Sequence, residues 1–224
     1  MHHHPVESAV PPGSRIAERL AGASFHDSWS IASDATGLSA LDHFLLAARK
    51  TPRWIEACMR ARNLAGGLVG LKDLGSLSAL TPGKTAASYR LGDRVGIFTV
   101  FENTFDEALI GDDDKHLSVV LSIHRQNDIG SREAIITVTT VVHVKNTLGR
   151  LYMLPVKPMH RLIAPAVLSS LGDASAQHEN ALASMQAHPG CRCQGMPCDS
   201  PQILARKARQ AIKKSLKRPG DHTS

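Results

Sequence analysis

Several features that would settle a function at once are missing from this chain. Across its 224 residues no uninterrupted apolar run approaches the ~20 needed to span a bilayer as a helix, so no transmembrane segment is expected. The start, Met1-His2-His3-His4-Pro5, has neither the basic residues nor the apolar stretch of a signal peptide. The expected compartment is therefore the cytoplasm, with cysteines reduced. No Gly-x-Ser-x-Gly nucleophile elbow occurs. Gly66 to Gly70 reads Gly-x-x-x-Gly, but no strand pattern precedes it and no Lys-Ser/Thr follows, which excludes a phosphate loop. No residue implies a cofactor.

The net charge of +6 divides unevenly. Residues 199–224 hold seven Lys/Arg and two Asp, while the remainder has 19 Lys/Arg against 18 Asp/Glu. The basicity is a property of the tail. Its segment 203–218 reads as a basic amphipathic helix able to meet an acidic membrane surface or a nucleic-acid backbone. It has no aromatic residue, so base stacking is excluded.

What is present is a core. Hydrophobic residues make up 42% of the chain, which suits one folded domain with tails. Residues 1–13 are polar and aperiodic, and a short helix is expected over 14–20. The run 25–31 alternates apolar and polar residues, as a half-buried strand does. In 39–49, Leu41, Phe44, Leu45 and Ala48 recur at helical spacing. Thr51-Pro52 then reads as cap and first residue of a second helix, with Trp54, Cys58, Ala61, Ala65 and Leu68 on its apolar stripe. Residues 71–88 read as loop.

From residue 94 the period switches to two. Strands are expected over 94–104, 107–111, 116–125 and 133–146, with a hairpin turn at 126–130. A turn at 146–149 and a short strand at 150–154 follow, and Pro155 and Pro158 are expected to end the sheet. A last helix begins near Pro158. Met159, Leu162, Ile163, Ala166, Val167, Ser170 and Leu171 share its apolar side, and Pro165 kinks it. This order is α+β: a curved antiparallel sheet packed on a C-terminal amphipathic helix, with a cavity between them as the natural ligand site.

These residues also carry a resemblance. Asp27-Ser28-Trp29, Thr51-Pro52-Arg53-Trp54, Gly92-Asp93-Arg94-Val95-Gly96, Gly111-Asp112-Asp113-Asp114-Lys115-His116-Leu117, Asn146-Thr147-Leu148-Gly149-Arg150-Leu151-Tyr152-Met153 and Pro158-Met159-His160-Arg161 resemble a bacterial family. It is domain-of-unknown-function family 2867, and the likeness covers residues 24–172. The resemblance implies a START-like, polyketide-cyclase-like helix-grip fold with a cavity, and brings no catalytic residues with it. The expected division is a flexible segment 1–23, a helix-grip domain 24–172, and a Cys-containing basic tail 173–224.

Three groups of side chains invite a functional reading. Trp54, Phe98, Thr140, Arg150, Tyr152 and His160 are the expected ligand contacts, Arg for an anionic group and Tyr or His for a proton. His143 shares a strand face with Thr137, Thr139 and Lys145, which reads as the solvent side. Asp112, Asp114 and His116 form a polar cluster, but neighbours along a strand or turn point different ways and do not converge on one ion. Cys191, Cys193 and Cys198 make a weak thiolate metal site whose spacing matches no standard zinc module. The first expectation is a binding module for a small, largely apolar or amphipathic molecule. An enzyme on the same scaffold (cyclase, dehydratase or isomerase) using His, Asp or Tyr is the alternative, and an adaptor acting through the tail is a third.

Overall fold

The alternating runs become one sheet. In the computed structural model, which describes residues 4–68, 75–127 and 133–186, the strands are β1 (Val6–Glu7), β2 (Phe25–Ser33), β3 (Arg94–Val95), β4 (Phe98–Asn103), β5 (Glu107–Asp113), β6 (Leu117–Asn127) and β7 (Ala134–Val144). They pair antiparallel in the order β1-β2-β7-β6-β5-β4-β3, so the first long strand, β2, closes onto the last. The sheet is curved, with an irregularity in β4 between Val100 and Glu102. The sheet and the site below belong to one compact unit, Met1–Leu182.

The helices are α1 (Ala40–Arg49), α2 (Arg53–Leu68) and α3 (Thr147–Gln186). A capping box starts α1: the Ser39 hydroxyl accepts from the Asp42 N–H at 3.2 Å, and Asp42 Oδ2 accepts from the Ser39 N–H at 3.1 Å. Thr51 does not cap α2 as expected. Its hydroxyl donates back to the Ala48 carbonyl at 2.8 Å and satisfies the end of α1 instead.

The start of α3 overturns the expected short strand at 150–154. Asn146 Oδ1 accepts from the Gly149 N–H at 3.0 Å, an N-cap that turns the chain directly from β7 into helix. A Cβ at Gly149 would collide with the His116 carbonyl, so this close approach requires glycine. Pro155 and Pro158, expected to end the sheet, lie inside the helix together with Pro165. Each removes one backbone donor. The helix persists because its inner face is anchored by Met153, Leu168 and Leu171, all buried. It also runs past Gly172, where the sequence periodicity fades, to Gln186.

The two faces of the sheet are covered differently. The inner face carries Phe98, Ile123 and Ile136 into a cluster with α1 and α3. The outer face, expected to meet solvent, is covered by the N-terminal segment. There Ile16, on a 3-10 turn at Arg15–Arg19, is wholly buried with Leu109, Val120 and Val141. Ser8 ties the segment to Ser30 of β2 at 2.8 Å, and Ser14 donates to Glu107 of β5 at 2.6 Å. Beneath it, hydroxyls pair β2 with β7, Ser30 to Thr137 at 2.7 Å and Ser28 to Thr139 at 3.0 Å. His143 Nε2 meets the Arg19 carbonyl at 2.8 Å. Within the segment expected to be flexible, Val10, Ile16 and Leu20 thus pack against the outer face, which composition alone does not flag.

Candidate functional site

The concave face of the sheet does not close on the helices. It leaves a cavity of about 620 Å³, within the range of small-molecule sites. Strands β4, β6 and β7 supply Phe98, Leu121, Ile123, Ile136 and Val138. Helix α1 adds Phe44 and Ala47, α2 adds Ile55, Cys58 and Met59, and α3 adds a long stripe from Leu148 to Leu171. The wall is overwhelmingly hydrocarbon, so transfer of an apolar molecule from water gains roughly 25 cal/mol per Å² buried.

Polar groups enter this wall at three places. His43, on α1, is completely buried. Its Nδ1 lies 2.8 Å from the Ser39 carbonyl and its Nε2 lies 3.3 Å from the Ser33 hydroxyl. Burial is the strongest influence on its proton affinity and lowers it; the Ser39 carbonyl opposes, nearby Arg125 adds to the lowering, and Asp42 opposes. The result lies below the ordinary 6.5, so the imidazole is neutral at pH 7.

Arg62, on α2, donates from Nε to the Tyr152 hydroxyl of α3 at 3.0 Å, and its guanidinium carbon sits 5.3 Å from the centre of the same ring. This joins the two helices and places a guanidinium on an otherwise oily wall. The third place is His160, on α3, whose Nδ1 lies 2.9 Å from Asp27 Oδ2 on β2. Thr140 lines the cavity and is the cross-strand partner of Asp27.

Of the six expected ligand contacts, Phe98, Thr140, Tyr152 and His160 line the cavity. Trp54 and Arg150 do not. Trp54 is 43% exposed because the inward face of α2, which keeps the expected Cys58 and Ala61, extends to Ile55, Met59 and Arg62 on the side away from Trp54. Arg150 is exposed and follows Asn146 in the first turn of α3. The inward face of α3 extends in the same way: Met159, Ile163, Val167 and Leu171 face the cavity as expected, but Leu162 is 61% exposed and His160 takes the inward place.

Asp112, Asp114 and His116 do not assemble. Asp112 lies 3.3 Å from Arg94, and Asp114 Oδ1 accepts from the His116 and Leu117 N–H groups at 2.6 and 3.1 Å, closing the β5–β6 hairpin. Asn146 Nδ2 donates to His116 Nδ1 at 3.0 Å, which pins the same corner to the start of α3. Cys191, Cys193, Cys198 and the basic segment 203–218 lie outside the described residues. No helix among the described residues is long and apolar enough to cross a membrane.

Two polar members of the site escaped the sequence. Arg62 falls on what reads as the outer side of α2, and Asp27 sits in an ordinary strand. A signal existed for Asp27 only in the run Asp27-Ser28-Trp29 of the family resemblance.

A curved antiparallel sheet closed by a long C-terminal helix over an apolar cavity defines the class: an α+β domain with an internal pocket. The chain belongs to the family described as Protein of unknown function (DUF2867), whose model matches residues 19–167. That stretch includes β2 through β7 and the cavity-facing turns of α3 to Val167. Neither the curated proteins nor the solved structures include a match to this chain.

Proposed function

We propose that the chain is a ligand-binding protein of the helix-grip, START-like kind, holding one small, largely apolar molecule between sheet and α3. One observation carries the reading: a cavity of about 620 Å³ walled by hydrocarbon, with polar groups at only a few points. Hydrocarbon left facing water on this scale favours an apolar guest, since covering it gains roughly 25 cal/mol per Å².

The polar points suggest the orientation of the guest. Arg62 and Tyr152 would receive an anionic or strongly polar end, and the rest would lie against Phe98, Leu121 and Val138. The test is a fluorescence titration with anilinonaphthalene sulfonate, an apolar probe with one anionic group. One saturable site is expected. Ala164→Trp, which fills the cavity from α3, and Val138→Trp, which fills it from β7, should each abolish that site while the far-UV circular dichroism stays unchanged. Undiminished binding in both folded variants would place the probe elsewhere and sink the proposal.

A further inference from the structure

The pairing of Asp27 with His160 is not accounted for by ligand binding alone. The two residues are 133 positions apart, and β2 and α3 bring them to 2.9 Å, Oδ2 to Nδ1. The Trp29 indole N–H also points at Oδ2, at 3.4 Å. Asp27 is buried, yet its second oxygen, Oδ1, has no hydrogen-bond partner among the described residues. Burying a carboxylate with half its acceptors unmade costs stability, and an apolar pair of similar volume would hold β2 against α3 as well or better. The arrangement needs another explanation.

The imidazole supplies one. His160 lines the cavity, and its Nε2 has no hydrogen-bond partner among the described residues. A carboxylate on Nδ1 fixes the tautomer and leaves the Nε2 lone pair unengaged. No hydroxyl or thiol among the described residues is hydrogen-bonded to Nε2, so those residues show no nucleophilic triad of the Ser-His-Asp form. A cavity-lining imidazole in this state can take a proton directly from a guest.

We propose that His160, held by the positioning residue Asp27, is a general base that isomerises an apolar β,γ-unsaturated ketone bound in the cavity. The C–H bond between the carbonyl and the C=C bond breaks, and its proton passes to Nε2. The electron pair moves through the adjacent C–C bond onto the carbonyl oxygen, giving a dienolate. The imidazolium, stabilised by the Asp27 carboxylate, then returns the same proton to a different carbon of the conjugated system. Nothing is oxidised or reduced, and no co-reactant is consumed. The proposal rests on the cavity-ligand reading above, and the experiment separates the two.

The probe is nitrobenzisoxazole, an apolar carbon acid. A base removes its ring proton, the C–H pair forms the nitrile, the N–O bond breaks, and a coloured phenolate is released. The full-length protein is expected to turn it over above the buffer rate. His160→Gln should lower kcat/KM by roughly 100-fold, the lower range for a positioned acid–base group. Asp27→Asn should lower kcat with KM unchanged and remove the far-downfield proton resonance of the His160 Nδ1–H. Displacement of anilinonaphthalene sulfonate by the probe reports occupancy in every variant. Occupancy without turnover, or wild-type turnover in His160→Gln, would overturn the general base while leaving ligand binding intact. Absence of any saturable probe site would overturn both.

Discussion

Arg62 and Tyr152 meet at 3.0 Å, the guanidinium Nε donating to the phenol oxygen, and that bond is where α2 and α3 join over the cavity. Ninety residues of chain separate them. A positive group is thereby fixed on a hydrocarbon wall.

If Arg62 receives the anionic end of the guest, its removal should discriminate between probes. Arg62→Met should weaken binding of anilinonaphthalene sulfonate about tenfold, equivalent to ~1.4 kcal/mol. Affinity for the uncharged phenylnaphthylamine should stay within about twofold. Equal losses for both would mean that Arg62 shapes the wall and does not recognise charge.

The outer face depends on Glu107. Its Oε1 accepts from the hydroxyls of Ser14 and Ser122, both at 2.6 Å, and its Oε2 accepts from the Arg15 N–H at 3.0 Å. Burial pushes its pKa up, but the Arg15 N–H, the Ser122 and Ser14 hydroxyls and His124 together outweigh burial and hold it below the ordinary 4.5. The unfolded chain thus binds this proton more tightly than the folded one. The stability it contributes is complete above about pH 4.5 and is lost as pH falls through the lower, folded value. Glu107→Gln should lower stability at pH 7 by about 1–3 kcal/mol and flatten the acid limb. Urea midpoints between pH 7 and pH 3 (a range of about four units) measure both effects.

His43 should be the histidine hardest to protonate among the described ones. Its folded value lies below 6.5, so its stabilising contribution is complete above that pH and is lost as pH falls below it. In NMR, its ring C–H resonance should titrate at lower pH than those of exposed histidines. A midpoint at or above the ordinary value would contradict the buried, neutral ring.

Ile16 anchors the N-terminal layer with no exposed surface. Ile16→Ala should cost about 2–5 kcal/mol in thermal or urea unfolding, as for other large-to-small core changes. A loss under ~0.5 kcal/mol would show that the segment adds little to the fold.

The parts of this architecture that were legible in the sequence are those with strong local periodicity. Leu117, Val119, Leu121 and Ile123 alternate with polar neighbours, and β6 forms where they lie. The start of α3 was not legible, since Arg150–Tyr152 alternates like a strand and two prolines follow. The deciding contact, Asn146 to Gly149, is a cap only in the folded chain. The helix stripes were legible in part: Cys58, Ala61, Met159, Ile163, Val167 and Leu171 line the cavity, while Trp54 and Leu162 are exposed. Both look like core by composition, but tertiary packing chose Ile55 and His160. Half the polar site was invisible for the same reason. Arg62 and Asp27 become site residues only when α3 delivers Tyr152 and His160 to them.

Native mass spectrometry of the protein purified from its own source tests most directly whether the cavity between sheet and α3 holds a small molecule. A discrete mass increment of one small molecule is expected on the wild-type chain, released on denaturation and missing from Ala164→Trp purified in the same way. A wild-type chain at its bare polypeptide mass, or an increment that survives in the filled-cavity variant, would contradict it.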